Sequence, residues 1–276
     1  MTMIDEVRVA EHYSKQNLYR KIEIELLSLG INLRSVGTDD LVFVDNFHIG
    51  GELATQFIAD HLNVDNGKKI LDIGCGIGGP ARYMAKNRGC RVYGVDLTKD
   101  YIDTGLKLNT LVNLNGIVNL HQGTALNLQF RNSFFDGVYM VHVGMNIEEK
   151  DQLMRESYRV AKKGSFFVIF DVMKFKDKEV SYPLPWADRC EESAVDTLKT
   201  YSDSLLAAGF NIEKKEEKSQ FALTFFEGVI SNIDSNSKRT LGVQLLMGDN
   251  AKEKIMNAYT QIREKILSPV LLVAKK

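Results

Sequence analysis

The stretch that decides the fold is Lys69-Ile70-Leu71-Asp72-Ile73-Gly74-Cys75-Gly76-Ile77-Gly78-Gly79-Pro80. It begins as an apolar run of strand length and ends in closely spaced glycines, the pattern of a buried strand that turns sharply into a helix. A second apolar run, residues 91–97, brings Asp96 to a strand end roughly 20 residues after Gly74, where a carboxylate can accept both hydroxyls of a ribose. The two segments therefore predict a ligand that contains adenosine.

The glycine spacing separates two classes of such ligands. Dinucleotide-binding loops use Gly-x-Gly-x-x-Gly to seat a pyrophosphate on a helix N-terminus, whereas Gly74, Gly76, Gly78 and Gly79 form Gly-x-Gly-x-Gly-Gly. Asp72 precedes this loop, and its carboxylate would repel phosphates and attract a cationic amino group. S-adenosylmethionine, with its ammonium and sulfonium, therefore fits better than a dinucleotide.

The quoted stretch extends into a longer motif. LDIGCGIGGPARYMA, residues 71–85, resembles the nucleotide-binding motif of class I S-adenosylmethionine-dependent methyltransferases, and VYGVDLT, VHVGMNI and YPLPWA extend the resemblance. The similarity is to the small-molecule branch that contains sarcosine and dimethylglycine N-methyltransferases and sterol and tocopherol C-methyltransferases. It implies a Rossmann-like, doubly wound α/β fold with a seven-stranded sheet. The alternative is a glycine-rich turn of a doubly wound fold that binds no ligand.

The resemblance also implies which residues contact the cofactor. The segment 122–126 looks like the adenine-edge segment, with Thr124 where the family usually has aspartate. Tyr13 is similar to a first-helix tyrosine of these enzymes, and Phe47–Gly51 to a turn against the methionine moiety. The predicted cofactor-binding residues are Tyr13, Gly51, Asp72, Gly74, Cys75, Gly76, Gly78, Gly79, Asp96, Leu97, Thr124, Ala125, Leu126 and His142.

The order of patterns along the chain predicts the organisation. Strand and helix patterns alternate from residue 69, as in a parallel sheet with right-handed crossovers. We expect an N-terminal helical cap at 1–66, a cofactor-binding core at 67–173, and a lid, an insertion and closing strands of the same domain at 174–276. In the lid segment, residues 174–193, Pro183 and Pro185 exclude a regular helix or a central strand.

Composition limits the partners. The 276 residues are 44% hydrophobic and 26% charged, with a net charge of −1, so nothing attracts the chain to nucleic acid or anionic membranes. Its three cysteines show no paired metal spacing, and no run has membrane-spanning or signal-peptide length. We expect a soluble cytoplasmic protein with a small-molecule substrate, no metal and no nucleic-acid partner. The oligomeric state stays open, a homodimer included.

Methyl transfer needs alignment, exclusion of water and, for a protonated nucleophile, removal of a proton. His142, just after the predicted fourth strand, is either a base or a residue that only packs against the cofactor, and Tyr13 is the second catalytic candidate. Asn146 also fits a helix cap, and Arg189 an ion pair with a neighbouring glutamate. The predicted substrate-binding residues are Tyr19, His48, Met145, Asn146, Trp186 and Arg189.

The leading functional hypothesis is methyl transfer to a nitrogen or oxygen of a small molecule. Carbon methylation of a prenyl or sterol-like substrate is the alternative; it needs an acid to take a proton from a carbocation, for which Asp171 or Asp188 are the candidates. The resemblance disfavours phosphoethanolamine, because those enzymes carry a catalytic histidine at the position that matches Asn146. A protein that binds the cofactor without catalysis is the remaining alternative.

Overall fold

A computed structural model describes residues 6–14, 17–45, 48–234, 247 and 250–276. Phe47 and part of the predicted insertion, residues 235–246 and 248–249, lie outside the described residues.

Seven strands form one sheet: β1 (Lys69–Ile73), β2 (Arg91–Asp96), β3 (Val118–Gln122), β4 (Phe135–Val141), β5 (Ala161–Lys174), β6 (Asn211–Glu217) and β7 (Leu267–Lys275).

The sheet has the order β3-β2-β1-β4-β5-β7-β6. Strands β1 to β5 pair in parallel, whereas β7 runs antiparallel to both β5 and β6. The predicted seven-stranded α/β sheet is confirmed. The strand β6, with its alternating lysines and glutamates, lies at the edge of the sheet, where charged side chains discourage pairing with another chain. The antiparallel direction of β7 is not visible in the sequence pattern.

Ten described α-helices flank the sheet and form the N-terminal segment. They are α1 (Glu6–Tyr13), α2 (Leu18–Ser28), α3 (Val42–Asp45), α4 (Gly51–Leu62), α5 (Gly79–Arg88), α6 (Lys99–Leu111), α7 (Lys150–Val160), α8 (Leu198–Ala208), α9 (Ser219–Asp234) and α10 (Ala251–Arg263). Helices α3, α8 and α9 were not predicted, although Thr197 caps the N-terminus of α8 and Gly209 ends it in the left-handed region. No helix among the described residues is long and apolar enough to cross a bilayer.

Both faces of the sheet are buried, as expected for parallel strands covered by helices. Leu71 and Ile73 of β1 pack with one core cluster, and Ile70 packs with the other. The strand ends are fixed by backbone bonds as well: the N–H groups of Gly74 and Cys75 both donate to the carbonyl of Val95, at 2.8 and 3.1 Å. The turn after β1 is therefore held against the end of β2.

The N-terminal helices cover this turn. Leu18, Ile22 and Leu26 of α2 form a third cluster with Tyr101 and Leu108 of α6. Helix α3 approaches the start of α5 so closely that a Cβ on Gly79 would lie 2.1 Å from the Asp45 carbonyl oxygen. The N-terminal segment is thus fixed to the two helices that follow β1 and β2.

Candidate active site

The glycine turn after β1 opens onto a cavity of about 250 Å³ at the carboxyl ends of the strands. Gly74, Gly76 and Gly78 have φ angles of 69°, 53° and 86°, which side-chain-bearing residues adopt at a cost. A Cβ on Gly76 would meet only Tyr101, at 3.9 Å, so a larger side chain there would enter the cavity. The turn needs glycine both for its backbone and for the space beside it.

Asp96 holds the glycine turn from the end of β2. Its Oδ2 accepts the N–H of Gly76 at 2.9 Å, and its Oδ1 accepts the N–H of Thr98 at 2.8 Å. Burial raises the pKa of this carboxyl. A carboxylate has about four lone-pair positions, so each oxygen keeps capacity for one further donor from a ligand.

Asp72 lies in the same wall and is 1% exposed. Its Oδ2 has no hydrogen-bond partner among the described residues, and burial raises the pKa of the carboxyl to about 8. Three other buried polar atoms of the wall are also unpartnered: the Tyr101 hydroxyl, His142 Nδ1 and Asn146 Oδ1. Such groups are costly to bury alone, and together they indicate a polar ligand.

Most of the predicted site residues converge on this cavity. Those in its wall are Tyr13, His48, Asp72, Gly74, Cys75, Gly76, Gly79, Asp96, Leu97, Ala125, Leu126, His142, Met145, Asn146 and Trp186. The others, Tyr19, Gly51, Gly78, Thr124 and Arg189, are not part of the wall.

The residues outside the wall have other contacts. Arg189 is 77% exposed and pairs with Glu192 at 3.5 Å, the ion pair considered from the sequence. Tyr19 packs in the α2 cluster with the Lys107 ammonium 5.2 Å from its ring centre. The Thr124 hydroxyl donates to the Glu6 carboxylate, and Glu6 is the member of this pair that lines the cavity.

The two remaining glycines serve the backbone. Gly51 is the first residue of α4, and its carbonyl oxygen lies 2.8 Å from His48 Nε2. Gly78 is the N-cap of α5, in the left-handed region. Both positions shape the chain that carries wall residues, and neither residue is itself in the wall.

His142 connects the end of β4 to the turn before α4. Its Nε2 accepts the N–H of Ile49 at 3.2 Å, which places the ring proton on Nδ1. Nδ1 lies 3.9 Å from Oδ1 of the fully buried Asp171, too far for a hydrogen bond. Asp171 in turn accepts the Tyr201 hydroxyl at 2.7 Å. The imidazole lone pair is therefore occupied by the backbone.

His48 has the opposite tautomer. Because a carbonyl oxygen only accepts, Nε2 of His48 must donate to Gly51, so its lone pair is on Nδ1. Burial, together with the nearby His142, lowers the pKa of His48 to about 3. The His48 ring is consequently neutral at physiological pH.

Asn146 and Tyr13 join the β4 end to α1. The amide of Asn146 donates to the Tyr13 hydroxyl at 3.3 Å. Helix α7 begins at Lys150, so Asn146 does not cap it, and the capping interpretation is wrong. Burial raises the pKa of the Tyr13 hydroxyl, which therefore stays protonated near neutral pH.

The cavity continues under the lid segment, in a part here called the C-terminal chamber, of which only Trp186 was among the predicted site residues. Its wall comes from the lid segment, α9 and α10: Pro185, Trp186, Phe225, Phe226, Val229, Ile255, Ala258 and Ile262. A signal for it was present, because 255, 258 and 262 have the spacing of one helix face. The site therefore has a polar end at the glycine turn and an apolar end under the lid segment.

Comparisons with known proteins agree on the family. Residues 71–169 match the family model of a methyltransferase domain. The sterol 24-C-methyltransferase of Eremothecium gossypii is 26% identical over 171 residues, which cover 59% of this chain and 45% of that protein. The chain spans about half the length of the curated relatives it matches.

Solved structures show the same fold. Geranyl diphosphate C-methyltransferase from Streptomyces coelicolor A3(2) aligns with a TM-score of 0.71 at 16% identity, over 98% of this chain and 97% of that one. The cyclase SpnF aligns with a TM-score of 0.66 at 21% identity, over 82% and 81%. Residues 71–169 are therefore similar to a methyltransferase domain, and the chain has the fold of class I S-adenosylmethionine-dependent methyltransferases.

Proposed function

We propose that this chain binds S-adenosylmethionine and transfers its methyl group to a small molecule. The observation that carries the proposal is the glycine turn with Asp96 and with Asp72, whose Oδ2 has no hydrogen-bond partner among the described residues, in the wall of one cavity. We also propose the division of the chain that the sequence predicts: a cap at 1–66, a cofactor-binding core at 67–173, and a lid with an insertion and closing strands at 174–276.

The residues of the polar end fit the cofactor. Oδ2 of Asp72 is a buried acceptor without a partner, which an ammonium group would satisfy. Asp96 retains an acceptor position on each oxygen for the ribose hydroxyls, and Gly76 leaves the space beside the turn free. Aromatic rings of Tyr13 and Tyr101 in the wall suit a sulfonium.

The cofactor, when bound, supplies an electrophilic methyl group, and the protein must align an acceptor and exclude water. His142 is unsuited to take a proton because Ile49 occupies its lone pair, so we assign it a positioning role. Neutral His48 can accept a hydrogen bond at Nδ1, and Asn146 can accept one at Oδ1. Both groups could therefore bind a methyl-accepting substrate that carries an N–H or O–H group.

Carbon methylation is the second candidate, and the aromatic side chains of the C-terminal chamber favour it. A carbocation formed by methyl addition to an alkene is stabilised by aromatic faces. The two acids considered for this route are engaged, however. Asp171 is buried behind His142, and Asp188 pairs with Lys254 at 2.9 Å. Transfer to nitrogen or oxygen therefore stays the first proposal.

Incubation of the purified chain with S-adenosylmethionine and separate polar and lipophilic metabolite extracts tests this function. We expect S-adenosylhomocysteine above the level without extract, and a product whose mass rises by one methyl group. The chemical shift of the transferred methyl group in the product separates the two acceptor types, because a methyl on nitrogen or oxygen is deshielded relative to a methyl on carbon. Cofactor binding without turnover in either extract would instead support the non-catalytic alternative.

A further inference from the structure

We infer that the methyl acceptor is an uncharged molecule with an apolar body, held in the C-terminal chamber. The inference rests on the proposed function, since it assigns the second ligand of the same cavity. Its evidence comes from a different part of the chain, namely the lid segment, α9 and α10 rather than the glycine turn.

The wall of the C-terminal chamber is apolar wherever it is described. From Val172 onward, every described residue that lines the cavity is aliphatic, aromatic, methionine or proline. Phe226, Ile255 and Ala258 are at most 3% exposed, so these side chains belong to a protected interior rather than to an open surface. A hydrocarbon body gains from burial there, in proportion to the apolar area it removes from water.

The indole of this wall does not offer its polar atom to a ligand. Nε1 of Trp186 donates to Ser193 Oγ at 3.0 Å, and Trp186 is 4% exposed. Since its N–H is already satisfied, Trp186 contributes ring surface to the chamber. A substrate in contact with it therefore needs no hydrogen-bond acceptor along its body.

The described wall of the C-terminal chamber offers no charged group that could pair with a charged substrate. None of the described wall residues is a lysine or arginine. The nearby Lys254, on α10, is 4% exposed and bound to Asp188. The acidic wall residues belong to the chain before α7 begins, and none of them to the lid segment, α9 or α10. A phosphate or carboxylate would therefore be buried without a counter-charge, and an ammonium would find acidic groups only at the polar end and none in the wall of the chamber. Burial of any of these ions in the chamber is far costlier than burial of a neutral hydroxyl.

Three decyl compounds that differ only in their head groups test the inference: 1-decanol below its solubility limit, and decylamine and decyl phosphate below their micelle concentrations, each with S-adenosylhomocysteine present. Trp186 is the only tryptophan in the sequence, so tryptophan emission reports on this chamber. We expect saturable binding of 1-decanol and affinities for both ions that are weaker by about tenfold or more. Equal or tighter binding of either ion overturns the inference.

A pair of substitutions on α10 locates the binding site. Ala258 lines the chamber, whereas Met256 is 37% exposed and does not. We expect Ala258→Phe to weaken 1-decanol binding by about tenfold or more, and Met256→Phe to leave it within about twofold. If Ala258→Phe fails to fold, Ile255→Ala replaces it, with an expected shift in preference from 1-decanol toward 1-dodecanol. Unchanged binding in a folded chamber variant contradicts the inference.

Calorimetry with S-adenosylhomocysteine alone separates this inference from the proposed function. Absent cofactor binding, together with retained 1-decanol binding, would overturn the proposed function and leave the apolar site in place. Normal cofactor binding, together with a preference for decylamine or decyl phosphate, would overturn the inference and leave methyl transfer in place.

Discussion

At the scale of single residues, Asp96 is the residue that we expect to bind the ribose hydroxyls. We expect Asp96→Ala to weaken S-adenosylmethionine binding by about 1–3 kcal/mol, the usual cost of losing hydrogen bonds to a charged partner. Asp96→Asn is the matched control, because its amide oxygen still accepts one donor. Calorimetry that shows equal affinity for the wild type and a folded alanine variant would contradict the assignment.

Asp72 makes cofactor binding depend on pH. Because burial raises its pKa to about 8, the carboxyl is mostly protonated at pH 7 in the free protein. A bound cation favours the ionised form and lowers the pKa, so binding at pH 7 should release protons, and the release should disappear above about pH 9.

Calorimetric titrations at pH 7 in buffers of different ionisation enthalpy measure this release. The release should be smaller for Asp72→Asn, which cannot ionise, than for the wild type. Equal proton release from the two proteins would show that the cationic group does not lie at Asp72.

Replacement of His142 distinguishes a positioning role of this residue from a role in proton transfer. In the structure its Nε2 holds the Ile49 N–H, so His142→Ala should lower cofactor affinity and turnover together, through the displaced turn before α4. Steady-state kinetics and calorimetry on the same variant test this. Turnover that falls by about two to four orders of magnitude with unchanged cofactor affinity would instead identify a base.

Helix α3 is joined to α5 by an ion pair between Asp45 and Arg82, whose side chain is 1% exposed. Arg82 also donates to Asn109 Oδ1 at 2.9 Å, which links α5 to α6. We expect Asp45→Ala to lower the free energy of unfolding by about 3–5 kcal/mol, because it leaves a buried guanidinium without its partner.

Asp39 supplies the matched control. It pairs with Lys86, which lies on α5 like Arg82, but the Asp39 side chain is 88% exposed. Asp39→Ala should change the free energy of unfolding by about 0–1 kcal/mol. Urea denaturation of both variants makes the comparison. Similar losses would show that the buried pair does not hold the cap to the core.

Among the elements, those with a local signal were predictable. The glycine turn and the helix that follows it lie where the apolar run and the glycine spacing predicted them. Thr124 and Arg189 could not be placed, because their contacts with Glu6 and Glu192 depend on side-chain packing rather than on the pattern around them. The occupied lone pair of His142 likewise depends on Ile49, which is distant in sequence.

The lid segment illustrates the same limit. Its prolines excluded regular structure, but its packing depends on α10: the Asn257 side chain donates to the Pro183 carbonyl at 2.9 Å, and that of Gln261 to the Ser181 carbonyl at 2.8 Å. The apolar chamber is formed only when this segment, α9 and α10 come together. No single stretch of sequence contains it.

At the scale of the whole molecule, we propose that the cofactor and the methyl acceptor occupy different parts of one cavity. Strands β1 to β4 end at the polar part of the cavity, where Asp72 and Asp96 fit the cofactor. The chain after β5 adds the apolar part. The central claim is therefore that methyl transfer takes place where the polar and apolar parts of the cavity meet.

The most direct test is transfer of a labelled methyl group from S-adenosylmethionine into an organic-soluble product by the purified chain, with a lipophilic extract as the acceptor source. Gly76→Val should abolish transfer because its side chain enters the cavity. Gly116→Val also replaces a glycine with a positive φ, but in open space, and should retain transfer. Labelled product from the wild type and Gly116→Val but not from Gly76→Val is the expected result. Equal labelling by Gly76→Val, or cofactor binding with no labelled product from any extract, would contradict the claim.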